Sequence, residues 1–208
     1  MHNRFRRIAA RAVIATLMLP VLAHAEKPYA FRGLQLGVSL DDFRRHEHAR
    51  ALPAGSLAIC TTDPEAASLG MELSDPHGVS IACKWAHRTQ EGWRPSQAVV
   101  DCAPSFDHVM RFAAMPGERE PRLYRMSFVF DAHLASDFAD ALVSKYGASR
   151  VKREHGYTRY IWENAASTIT LEANAGATTA RVIYRLKDHE AWLARLTEQW
   201  RAAAADTP

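Results

Sequence analysis

A change of period in the second half of the chain constrains the fold most. Residues 123–130 alternate, with Tyr124, Met126, Phe128 and Phe130 on one side and Arg125 and Ser127 on the other. That is the pattern of a strand with one buried face. From Leu134 the period becomes helical: Leu134, Phe138, Leu142 and Tyr146 recur every fourth residue, and Gly147 supplies a stop. Strand patterns follow over 157–163, 168–173 and 180–186, separated by turn segments that begin at Asn164 and Asn174. Asp188 then caps a last helix with Trp192, Leu196 and Trp200 on one stripe. A strand, a helix and three antiparallel strands predict an α+β fold, an antiparallel sheet with helices packed on one face.

The first half reads as a degenerate version of the same plan, helix then strands. Ser39 caps a helix whose first turn holds Asp41 and Asp42, and the spacing predicts that it runs to about Arg50. Strands are expected around 79–85 and 97–102. Pro104, Pro116, Gly117 and Pro121 mark 104–121 as a linker, with Val109, Met110 and Phe112 forming a short helix inside it. The expected organisation is a signal peptide over 1–25, a helix-plus-strands half over 26–103, the linker, and a second half over 122–208.

The leader sets the expected compartment. Arg4, Arg6, Arg7 and Arg11 precede an apolar run over 12–22, and Ala23-His24-Ala25 offers small residues at the positions a signal peptidase reads. An exported periplasmic protein cut before Glu26 is expected. The precursor has 26 Lys+Arg against 23 Asp+Glu, so losing four arginines leaves 22 bases and a net charge of −1. A nearly neutral mature chain has no bulk attraction to nucleic acid or anionic membranes. Its 183 residues contain no second long apolar stretch, so no membrane span is expected in it.

Export makes a disulfide the default for two of Cys60, Cys83 and Cys102. The reading favours Cys60–Cys83, with Cys102 buried and free; a Cys83–Cys102 pairing across a hairpin remains open. As a nucleophile, Cys102 would need a base such as His108 within reach.

Two segments resemble known proteins. Residues 31–43, Phe-Arg-Gly-Leu-Gln-Leu-Gly-Val-Ser-Leu-Asp-Asp-Phe, resemble the glycine, hydroxyl and amphipathic-helix opening of small bacterial envelope proteins. These include outer-membrane assembly lipoproteins of the SmpA/OmlA type and the related β-lactamase-inhibitor-protein fold. Residues 141–147, with Tyr160-Ile161-Trp162 and Ile169-Thr170-Leu171, are similar to a pattern of uncharacterised proteobacterial periplasmic proteins. The resemblance implies a helix-and-sheet module that acts by binding other proteins at its sheet face. The chain lacks the lipidated cysteine of the assembly lipoproteins.

No chemistry-bearing constellation stands out. His46-Glu47-His48 points its imidazoles about 200° apart on a helix, so no metal site is assigned. Asp131-Ala132-His133 reads as a cap, and Glu154-His155 has no partner in the pattern. By alternation Arg125, Arg159, Arg181 and Arg185 share the sheet face away from the helix, beside Tyr157 and Thr170. Such a face can receive carboxylates through bidentate guanidinium contacts. The expected function is a soluble periplasmic binding or adaptor protein, a monomer or small oligomer without catalysis or cofactor, recognising an envelope protein through that face. The alternatives are a hydrolase-like periplasmic enzyme using His with Asp or Cys102, and a small-molecule carrier.

Overall fold

The computed structural model describes residues 26–45, 53–71, 79–100 and 103–205. The leader, the His46-Glu47-His48 cluster and Cys102 lie outside the described residues. In chain order, a hairpin of β1 (Ala30–Phe31) and β2 (Leu34–Gln35) is followed by α1 (Leu40–Arg44) and β3 (Leu57–Cys60). A 3-10 turn over Pro64–Leu69 leads to β4 (Ile81–Thr89) and β5 (Gly92–Pro95). Next come the short pair β6 (Val99–Val100) and β7 (Ala103–Pro104), then β8 (Asp107–Ala113) and β9 (Arg122–Asp131). The second half runs α2 (Ala135–Tyr146), β10 (Arg150–Glu154), β11 (Tyr157–Glu163), β12 (Ser167–Asn174), β13 (Thr179–Leu186) and α3 (Lys187–Ala205).

Nine strands form one antiparallel sheet in the order β10-β11-β12-β13-β9-β8-β4-β3, with β5 beside β4. The architecture is α+β. Alternation sorts the side chains, and one face gathers Met126, Phe128 and Phe130 of β9, Val182 and Tyr184 of β13, Ile169 and Leu171 of β12, Met110 of β8 and Trp85 of β4, all buried. Three pieces cover it. The α2 ring of Phe138 meets Phe130 edge-on at 5.4 Å, Phe31 of the N-terminal hairpin packs on Phe128 at 4.1 Å, and α1 sets Phe43 against Phe112 at 5.1 Å. Each such side chain contributes about 1.5–3 kcal/mol by leaving water.

Local chemistry explains the helix ends. The Ser39 hydroxyl accepts from the Asp42 N–H at 3.1 Å, and Asp131 Oδ1 accepts from the His133 N–H at 2.9 Å, opening the 3-10 turn that leads into α2. Two hairpins turn on two residues with positive φ, Arg32-Gly33 between β1 and β2 and His155-Gly156 between β10 and β11. Glycine is favoured at the second position because a Cβ resists that conformation. His155 therefore has a turn role in the pattern that left it without a partner.

The structure corrects three expectations. The segment 104–121 is not a linker with a helix: β8 lies inside it, pairs with both β9 and β4, and joins the two halves into one sheet. Its prolines flank the strand instead of interrupting it. A further strand, β10, occupies one edge with every residue exposed, so it carries no apolar alternation to reveal it. Helix α3 begins at Lys187, directly after β13 and one residue before Asp188; α1 is described as Leu40–Arg44, with the Arg45 N–H on the Asp41 carbonyl, and positions 46–50 lie outside the described residues.

Cys60 and Cys83 face each other in the β3–β4 register and are disulfide-bonded. At a sequence separation of 23, the bond restrains the unfolded chain by about 3 kcal/mol. Full reduction is expected to lower the melting temperature by roughly 6–12 °C. Calorimetry with and without a reductant checks this, and an unchanged midpoint would refute it.

Candidate functional site: the outer face of the sheet

The same pleat that fills the core sends the intervening residues to the opposite face. Arg125, Arg159, Arg181, Arg185 and Tyr157 all lie there, the arginines in two cross-strand rows and not in one cluster, with Tyr157 beyond the first row opposite Asn174. In the first row Arg159, Glu172, Arg181, Val129 and Asp107 stand opposite one another in turn, across β11, β12, β13, β9 and β8. In the second row Arg185, Arg125 and Arg111 are directly opposed across β13, β9 and β8. Ile161, Thr170, Ile183, Ser127 and Val109 form the row between. The arginine rows are four residues apart along β13, or about 13 Å at ~3.3 Å per residue.

The first row is internally paired. Arg159 Nε lies 3.2 Å from Glu172 Oε1, as an ion pair without hydrogen-bond alignment. Its guanidinium sits over the Tyr157 ring at 5.3 Å. Contact with Tyr157, and then Glu172, raises the Arg159 pKa above its ordinary value. Asp107 is held by Lys84 at 2.8 Å. Arg181 is exposed and makes no ion pair among the described residues. Tyr157 separates two shallow clefts, one of about 240 Å³ toward Glu172, Asn174 and Arg181, the other of about 380 Å³ toward Lys152, Glu154 and Arg159.

The second row is under-compensated. Arg185 Nη1 donates to Thr170 Oγ1 at 3.2 Å. Glu190 of α3 lies 3.9 Å from both Arg125 and Arg185, too far for a hydrogen bond to either. Burial, and then the neighbouring Arg125, push the Arg185 pKa down from its ordinary value. Like charges at directly opposed cross-strand positions repel and destabilise the pairing. Arg111 extends the row and lines a cleft of about 300 Å³ with Lys84, Val109 and Met71.

A register shift between Arg111 and Phe112 leaves Tyr124 as an extra residue in β9. Its ring stacks on His189 at 6.1 Å and fixes the first turn of α3, which carries Glu190. His189 is buried with its Nε2 3.6 Å from Glu118; burial lowers its pKa, and Glu118 opposes the change. Along the helix, Trp192 is half-buried against the main core.

Sequence reasoning missed Arg111, Glu172 and Glu190. Arg111 was hidden by reading its segment as a hinge, although Asp107, Val109 and Arg111 alternate with the buried His108, Met110 and Phe112. Comparison of the chain with protein families, curated proteins and solved structures finds no match.

His108, the candidate base for a Cys102 nucleophile, is a core residue. It is 2 % exposed, and its Nε2 accepts from the Trp85 N–H at 2.9 Å, which the neutral ring alone can do. Burial lowers its pKa to about 4. Below about pH 6.5 the unfolded chain takes up a proton that the folded chain refuses. Stability is therefore full above that pH and is lost as the pH falls toward 4, by roughly 3 kcal/mol from this group. His108→Gln keeps the acceptor and removes the titration. Urea denaturation from pH 7 to 4 is expected to show a flatter acid limb for the variant, and parallel curves would refute the assignment.

Proposed function

We propose that this chain is an exported, non-catalytic binding protein that recognises another envelope protein through the outer face of its sheet. The carrying observation is the charge of that face. Arg111, Arg125, Arg159, Arg181 and Arg185 stand against Asp107, Glu172 and Glu190, on a mature chain whose net charge is −1. A basic excess confined to one face of a nearly neutral molecule steers and orients an acidic partner without promoting indiscriminate binding. The leader and the Cys60–Cys83 bond fit an oxidising compartment outside the cytoplasm. Resemblance to envelope modules that bind proteins at a sheet face supports the same reading.

The test places a photo-crosslinking amino acid at position 181, exposed on the outer face, or at position 140, exposed on α2. The full chain is expressed in its own cells and irradiated. One dominant protein adduct from position 181, with none from position 140, is the expected result. Equal adducts from both positions, or none from 181, would overturn the proposal.

A further inference from the structure

Resting on that reading, we infer that Arg111, Arg125 and Arg185 form a carboxylate-binding site for an acidic polypeptide segment, and that Glu190 is an internal stand-in which the partner's carboxylate displaces. Cross-strand register puts the three arginines at directly opposed positions on adjacent strands. Like charges so placed are unfavourable unless an anion lies among them. Among the described residues, Glu190 is the carboxylate that pairs with this row, and it stops 3.9 Å from Arg125 and Arg185. Each guanidinium has five N–H donors in a planar fork that matches a carboxylate, and Arg185 commits one of them to Thr170. Arg111 makes no ion pair among the described residues. The side chains of Arg125 and Arg185 keep 33 % and 24 % of their surface exposed, so an incoming group can reach them while water is partly excluded.

The spacing of the face selects a polypeptide over a small anion. Arg181 and Arg185 are four residues apart on one strand, about 13 Å. An extended segment with carboxylates four residues apart spans both rows, over the row of Thr170, Ser127 and Val109. Inorganic phosphate shares the chemistry of the fork and can occupy one row only.

The probe is a fluorescein-labelled five-residue peptide with glutamate at its first and last positions and serine or glycine between. Its twin carries glutamine at both ends. Binding to the purified mature chain is followed by anisotropy. The glutamate peptide is expected to bind at least tenfold tighter than the twin, and Arg111→Gln or Arg125→Gln to abolish that preference. Glu190→Gln is expected to tighten binding severalfold, a gain that misfolding cannot mimic. Equal binding of the two peptides, or Glu190→Gln weakening binding as Arg125→Gln does, would overturn the inference. So would phosphate displacing the peptide at concentrations no higher than those of unlabelled peptide, which would leave a small-anion site. The photo-adduct from position 181 separates the two claims. An adduct that survives Arg111→Gln with Arg125→Gln removes this site and leaves the proposed function standing, whereas no adduct in the wild type removes the function itself.

Discussion

Two-residue alternation along β9 and β13 decides both what the core contains and what the outer face presents. Phe128 lies opposite Val182 on one side and His108 on the other, while its neighbour Ser127 lies opposite Ile183 and Val109. Slipping the pairing by one residue would carry Arg125 and Arg185 into the aromatic core and expel Phe128 and Tyr184. Burying an unpaired charge costs several kcal/mol, comparable with the whole stability of a domain. The arginine rows are therefore held in place by the core. Phe31 and Phe138, which press on Phe128 and Phe130, help to position Arg125 although they touch the opposite side of the strand.

The bulge at Tyr124 modifies this arrangement at one point. By adding a residue to β9, it places a ring where His189 can stack, at the start of a helix that follows β13 without a loop. Glu190 is carried by the same turn, and its reach toward Arg125 and Arg185 depends on the backbone of α3. A carboxylate free to move would close to hydrogen-bond distance of one guanidinium. Held at 3.9 Å from both, it offsets part of their repulsion and leaves their donors available.

Much of the second half was legible because its periods are clean. The alternation over 123–130, the four-residue recurrence through Phe138 and Leu142, and the Asp131 and Ser39 caps all encode local geometry in residue type. β8 was hidden because prolines at 104, 116 and 121 surround it and dominate a reading by breakers. β10 was hidden because an edge strand exposed throughout has no buried side to generate a pattern. The arginines of β9, β11 and β13 were visible as outward positions, but their division into two rows depends on cross-strand register. Glu190 was out of reach for a further reason: its role depends on the direction in which α3 leaves the sheet.

The carboxylates on the outer face bear on specificity. Glu172 stands between Arg159 and Arg181, and Asp107 is held by Lys84 at the end of the same row. A uniformly acidic surface laid across that row would meet these carboxylates as well as the arginines, and the repulsion would cancel much of the attraction. In the second row the three arginines have Glu190 set back at their margin, while Glu163, further along the row beyond Thr168, is held by Lys187. A partner gains most by placing a carboxylate at the second row and meeting the first row only at Arg181. Discrimination then rests on the spacing of acidic groups more than on their number, which gives a face of modest net charge a means of choosing among acidic proteins.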